Sequence, residues 1–200
     1  MKQKLNVNQI PNLKQEILDL PEKEKNQLLI RLINKDQVLI EQLHFRLLEN
    51  EWDLIQRFEA LKEEILETLN SEFKKIINAP YTSKGKAYLR LIRGLSSKIT
   101  HFAKVTKSTS YELELRTLLL IHSSKIFKSV QNEDSVFGYK SRAYQVTKIK
   151  SILKLLEKMH EDLRYDFLFN YSDDLELHVF LPLKIEIGLA NLNIEPLRRT

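Results

Sequence analysis

The chain has 200 residues, with 32 lysines and arginines against 27 aspartates and glutamates, so its formal net charge is +5. It has no cysteine, four glycines and five prolines. Without cysteine there is no disulfide framework, thiolate zinc site or cysteine nucleophile. Gly85, Gly94, Gly138 and Gly188 are isolated, which excludes a glycine-rich phosphate loop. So few turn-forming residues also argue against a β-sandwich or barrel.

A hydrophobic content of 42% with 30% charged residues marks a globular chain. The longest apolar cluster, Leu118 to Ile121, falls far short of the roughly 20 residues a membrane span requires. Met1 to Gln15 carries lysines but no apolar stretch, so it reads as no secretory leader, and a cytoplasmic location is expected.

In chain order, Leu13, Ile17, Leu18 and Leu20 predict a short first helix after Pro11. Pro21 suits the first position of a second helix carrying Leu28, Leu29, Leu32 and Ile33. Asn34 to Asp36 predicts a break, and Asp36 caps a third helix from Val38 to Leu48. A long helix follows, with Trp52, Ile55, Phe58, Leu61, Ile65, Leu69, Phe73 and Ile76 at helical spacing, and ends near Pro80. Trp52 and the helically spaced tyrosines read as core residues. The next helix, Ser83 to Val105, carries a Tyr88–Leu91–Leu95–Ile99–Phe102 stripe. Ser110 is expected to cap the one after it, whose apolar residues surround much of its circumference and predict a central position.

Gln131 to Ser135 reads as a loop. From Val136, the spacing of Ile149, Ile152, Leu156, Met159, Leu163 and Phe167 predicts one long helix. Asn170 to Asp174 predicts a turn, with Ser172 as a helix cap. From Leu175 to Leu189 every second residue is apolar, a strand signal. A lone strand in a helical chain lacks backbone partners, so a helix kinked at Pro182 is preferred. The strand alternative requires another chain, and residues 172–195 are a candidate homodimer element. The expected architecture is all-α: an irregular helical bundle or short α-solenoid of about seven or eight helices. It forms a single domain of residues 1–200, with sub-units at 1–50 and 51–200.

The opening pattern, Leu13…Leu20-Pro21-Glu22…Leu28-Leu29-Ile30…Leu32-Ile33-Asn34-Lys35-Asp36…Val38, resembles the start of a family of uncharacterised all-helical bacterial proteins. The resemblance covers about the first 45 residues and implies a HEAT-like helical hairpin at the N-terminus. It implies no activity or catalytic residue.

Charge is segregated along the chain. Gln15 to Glu72 carries a net −7, Phe73 to Lys154 a net +13, and Leu155 onward a net −4. Phe73 to Tyr111 contains no acid. On a helix, Lys86, Arg90, Arg93, Ser97, His101 and Lys104 share one face, opposite the apolar stripe. A second acid-free run carries Lys140, Arg142, Lys148, Lys150 and Lys154. Such rows suit successive phosphates of a nucleic acid, or serve as a solvated face docked against acidic helices. Tyr88 and Phe102 point to the core side, so the row reads as lacking aromatic residues for base stacking. The helix is also amphipathic enough to suggest a membrane surface.

Two Glu-x-x-His sequences, Glu41 to His44 and Glu157 to His160, match the spacing used by metal-binding bundles. Both lie beside or opposite their apolar stripes instead of facing inward. His122 and His178 have no nucleophile–base partners in the sequence. The favoured reading is a non-enzymatic helical module with a protein partner and no cofactor. The alternatives are a nucleic-acid-binding protein using Lys86, Arg90, Arg93, His101 and Lys104, and a metal-binding helical-bundle enzyme.

Overall fold

The computed structural model describes residues 6–132 and 134–199. Met1 to Leu5, part of the segment read for a leader, lies outside them, as does Glu133 of the expected 131–135 loop. Among the described residues the chain is all-α, with nine helices and no strand. It divides into two compact units, residues 1–48 and 49–200.

The first unit holds α1 (Leu13–Asp19), α2 (Glu22–Ile33) and α3 (Gln37–Leu48) after a 3₁₀ turn at Val7–Gln9. Pro21 stands one place before its expected position. Its extended backbone (ψ 143°) makes it the N-cap of α2. Asp36 caps α3 as expected, its Oδ1 accepting from Leu39 N at 3.2 Å. No residue of these three helices is fully buried.

The second unit is built on α4 (Glu51–Ile77), α5 (Tyr81–Thr106), α6 (Thr109–Phe127) and α7 (Val136–Leu156). Asn50 opens α4 with a capping box. Its side chain accepts from Trp52 N and Asp53 N, and Asp53 accepts from Asn50 N in return. Phe58, Ile65, Leu69 and Ile76 carry the buried edge of α4, whereas Trp52, read as core, is 64% exposed on its first turn. The cap of α6 is Ser108, not Ser110. Leu118 to Ile121 are four consecutive buried residues, because α6 packs on α4, α5, α7 and α8 together. Burial from several sides explains why its apolar residues surround the axis.

The expected long helix from Val136 to Phe167 is two helices. α7 ends at Leu156, and α8 runs Glu161–Leu175. At the break Lys158 N and Met159 N reach back only three residues, to Leu155 and Leu156. His160 is extended (ψ 152°), and its side chain accepts from Asp162 N. Arg164 takes the loose Met159 carbonyl at 3.3 Å. Glu161 and Asp162 favour the new start through the helix dipole. The expected turn at Asn170–Asp174 lies inside α8, and Ser172 is buried there instead of capping a helix.

The C-terminal segment contains no strand. A π-helical turn at Glu176–Phe180 leads through Leu181–Leu183 to α9 (Lys184–Leu189), and a 3₁₀ turn follows at Glu195–Leu197. Pro182 has no N–H to return to the preceding turn. Leu181 N bonds five residues back, to Glu176 O at 3.0 Å, which widens the helix there. The apparent alternation is two interleaved four-residue rows. Leu175, Val179, Leu183 and Ile187 are buried, while Leu177, Leu181, Ile185 and Leu189 are exposed.

Candidate nucleic-acid interface

Lys86, Arg90, Arg93, Ser97, His101 and Lys104 all project to solvent from α5, as the periodicity predicts. On the opposite side Tyr88, Leu95, Ile99 and Phe102 enter the core. α5 is fixed at both ends. Pro80 is its N-cap, and Lys107 closes it in the left-handed region (φ 58°) with its N–H on Ala103 O.

α7 lies beside this row. Gly85 and Tyr88 meet Ser141 and Gln145 in turn, and Lys86 and Arg93 meet Phe137 and Tyr144, so α5 and α7 run parallel. Ser135 starts α7 by accepting from Phe137 N and Gly138 N. Two residues of α7 that sequence reasoning missed then join the basic face. The Phe137 ring lies 6.0 Å from Lys86 Nζ and 5.9 Å from Lys140 Nζ. The Tyr144 ring lies 5.5 Å from the Arg93 guanidinium and 4.7 Å from Lys148 Nζ. Each ring thus sits between a cation of α5 and a cation of α7. The expectation that the row lacks aromatics for base stacking considered α5 without its neighbour. It held for the side chains of α5 alone. The signal available in the sequence was Phe137 and Tyr144 seven residues apart, with lysines three and four residues after them. Such cation–ring contacts contribute about 0.5–1 kcal/mol each at exposed positions.

A buried polar clasp under the seam holds the two helices in register. Tyr88 Oη accepts from Gln145 Nε2 and pairs with Ser123 Oγ of α6 at 3.3 Å. Ser141 Oγ donates to Phe137 O at 2.8 Å and lies 3.4 Å from Gly85 O. Burial pushes the Tyr88 hydroxyl well above its ordinary pKa, beyond what its two hydrogen bonds offset. It stays neutral and keeps both roles in the clasp.

Lys86, Arg90, Arg93, Lys140 and Lys148 pair with no carboxylate among the described residues. Lys98, at the edge of the face, is paired with Glu64 of α4. Arg142 turns away from the row to Glu186 at 3.0 Å and Gln131 O at 2.6 Å. A groove of about 610 Å³ separates α4 from α5, lined among others by Thr68, Glu72, Lys86, Arg90 and Gly94. Gly94 leaves open space where a side chain would stand.

The two Glu-x-x-His sequences sit in different settings. Glu157 lies in the α7–α8 break, and His160 is the α8 cap, so helical i, i+3 geometry is lost there. Glu41 and His44 stay on α3, with His44 exposed. Among the described residues no group of three or more His, Cys, Asp or Glu is placed to hold a metal ion. His122 and His178, unrelated in sequence, come close enough to interact, with Asp174 beside them. Partial desolvation lowers the His122 pKa, and Lys125 and His178 lower it further against the opposing Asp174.

Among the described residues no helix is long and apolar enough to cross a membrane. No family model, curated protein or solved structure matches the chain.

Proposed function

We propose that this chain is a non-enzymatic binding module that holds a nucleic acid on the α5–α7 face. The observation that carries the reading is the unneutralised cation array. Lys86, Arg90, Arg93, Lys140 and Lys148 stand together with no carboxylate partner among the described residues. His101 and Lys104 extend the same exposed row along α5. Clustered like charges raise the energy of the free protein and are relieved by a polyanion that releases its counterions on binding.

The test is a salt titration against generic DNA and RNA. With about six phosphate contacts, log K should fall with log salt at a slope near −5 for a duplex. Arg90→Glu with Arg93→Glu should weaken binding at least tenfold and flatten that slope by about two or more. An absence of binding at low salt rejects the reading.

A second reading, a protein contact through residues 172–195, is supported by the exposed row Leu177, Leu181, Ile185 and Leu189. A second copy of the chain is the simplest such partner. Light scattering tests it: Ile185→Glu with Leu189→Glu should reduce the solution mass to that of one chain. A native mass already equal to one chain rejects it.

A further inference from the structure

Resting on the reading of the α5–α7 face as a nucleic-acid surface, we infer that its partner is a duplex gripped by the phosphates. In this role Phe137 and Tyr144 are positioning residues that set the cations in place.

A single-strand site needs aromatic faces open for bases to stack on. Here neither ring is open. Phe137 and Tyr144 are half-buried, and each is flanked by two cations. The exposed Tyr139 belongs to neither cation–ring contact. What these ring contacts present outward are therefore ammonium and guanidinium groups, which suit phosphate.

Their placement is ordered and repetitive. Lys86 and Arg93 are seven residues apart on α5, and Phe137 and Tyr144 are seven apart on parallel α7. Seven residues rise about 10.5 Å, close to the rise of three base pairs at 3.4 Å each along one strand. The exposed row from Lys86 to Lys104 is about 27 Å long by the same rise. Ordering long basic side chains before binding lowers the entropy cost of binding. That gain is largest when the phosphates form a stiff lattice, as in a duplex, and smallest for a flexible strand. The clasp through Tyr88, Gln145 and Ser141 fixes the register on which this spacing depends.

The experiment uses the full chain with three probes at one salt concentration. These are a random-sequence duplex of about 20 base pairs, one of its strands alone, and phosphatidylserine–phosphatidylcholine vesicles. The duplex should bind at least fivefold tighter than the single strand. Tyr144→Leu should weaken duplex binding about three- to tenfold with an unchanged salt slope, since no charge is removed. Tyr144→Phe should restore it. Phe137→Leu repeats the test at the other ring should Tyr144→Leu lose helicity. Equal or tighter single-strand binding, with the Tyr144→Leu loss confined to that probe, overturns the duplex inference and leaves nucleic-acid binding standing. A Tyr144→Leu protein that binds the duplex as the parent does overturns the positioning role. Vesicle binding with neither nucleic acid bound overturns both readings, as does binding to none of the three.

Discussion

Two outward faces of the second unit present opposite chemistry from similar helical spacing. On α5 the outward row is Lys86, Arg90, Arg93 and Lys104, and the buried row is aromatic and aliphatic. From Leu175 to Leu189 both rows are apolar, one buried and one left in water. In the first arrangement the side chains stay hydrated, and the cost is repulsion among like charges. The second keeps four large aliphatic side chains largely exposed, and each would gain about 1–2 kcal/mol if the rest of its surface were covered. Spacing alone therefore decides which residues face outward, and their chemistry decides what kind of partner relieves them. The α5 face calls for an anion, and the C-terminal row calls for an apolar surface.

The largest expected effect tests whether the two C-terminal rows differ as described. Leu183 is 1% exposed and Ile185 is 75% exposed. Leu183→Ala should cost about 2–5 kcal/mol through lost burial and the cavity left behind. Ile185→Ala, two residues on, should stay within about 0.5 kcal/mol. Denaturant unfolding of both variants measures the contrast, and equal losses would mean that the rows are misassigned.

How far the molecule was legible in its sequence follows from the same contrast. The α5 stripe was legible because its signal is local: a 3.6-residue period separates Lys86 and Arg90 from Tyr88 and Ile99 without reference to any other helix. Phe137 and Tyr144 were not, since nothing in their own helix shows that α7 runs parallel to α5 in the register that Gly85–Ser141 and Tyr88–Gln145 set. The Leu175–Leu189 alternation suggested a strand because two four-residue rows offset by two residues look like a two-residue period. The break at Glu157–His160 left no trace in the apolar spacing. No proline or glycine marks it, and the histidine cap that creates it reads in sequence as half of a metal motif. Trp52 was misplaced for the converse reason. Its position matches the α4 stripe, but it sits on the first turn, before the buried residues begin.

A smaller effect probes the clasp beneath the basic face. Tyr88→Phe removes the oxygen that meets Gln145 and Ser123, and should cost about 1–3 kcal/mol by leaving buried polar groups unsatisfied. Its pH dependence has a definite sign. Burial raises the Tyr88 pKa in the folded state, so its neutral-state contribution is complete below the unfolded value of about 10 and is lost as pH rises above it. Tyr171 is raised as well, by burial and by its donation to Glu114, and steepens the same alkaline loss. Tyr88→Phe should be less stable than the parent at neutral pH, with a shallower decline above pH 10 or so. Parallel declines would mean that Tyr88 does not titrate with unfolding.

The smallest effect separates the seam between α5 and α7 from the groove between α4 and α5, which share Lys86. Gly94 lies in the interior of α5 with a helical backbone, and a Cβ built there meets nothing within 4 Å. Gly94→Ala should therefore stabilise the fold by about 0.5–1 kcal/mol by restricting the unfolded chain. The melting temperature should rise by about 1–4 °C. Alanine adds no charge and touches neither Phe137 nor Tyr144, so nucleic-acid affinity should be unchanged if the seam is the working surface. Gly94→Met fills the groove while leaving the cation–ring contacts intact, and it makes the same comparison harder to pass. If Gly94→Met binds as the parent does, the anion sits on the outward row. If it loses binding while its melting temperature holds, the anion enters the groove, and Arg90 acts there with Lys98 instead of along the line to Arg93.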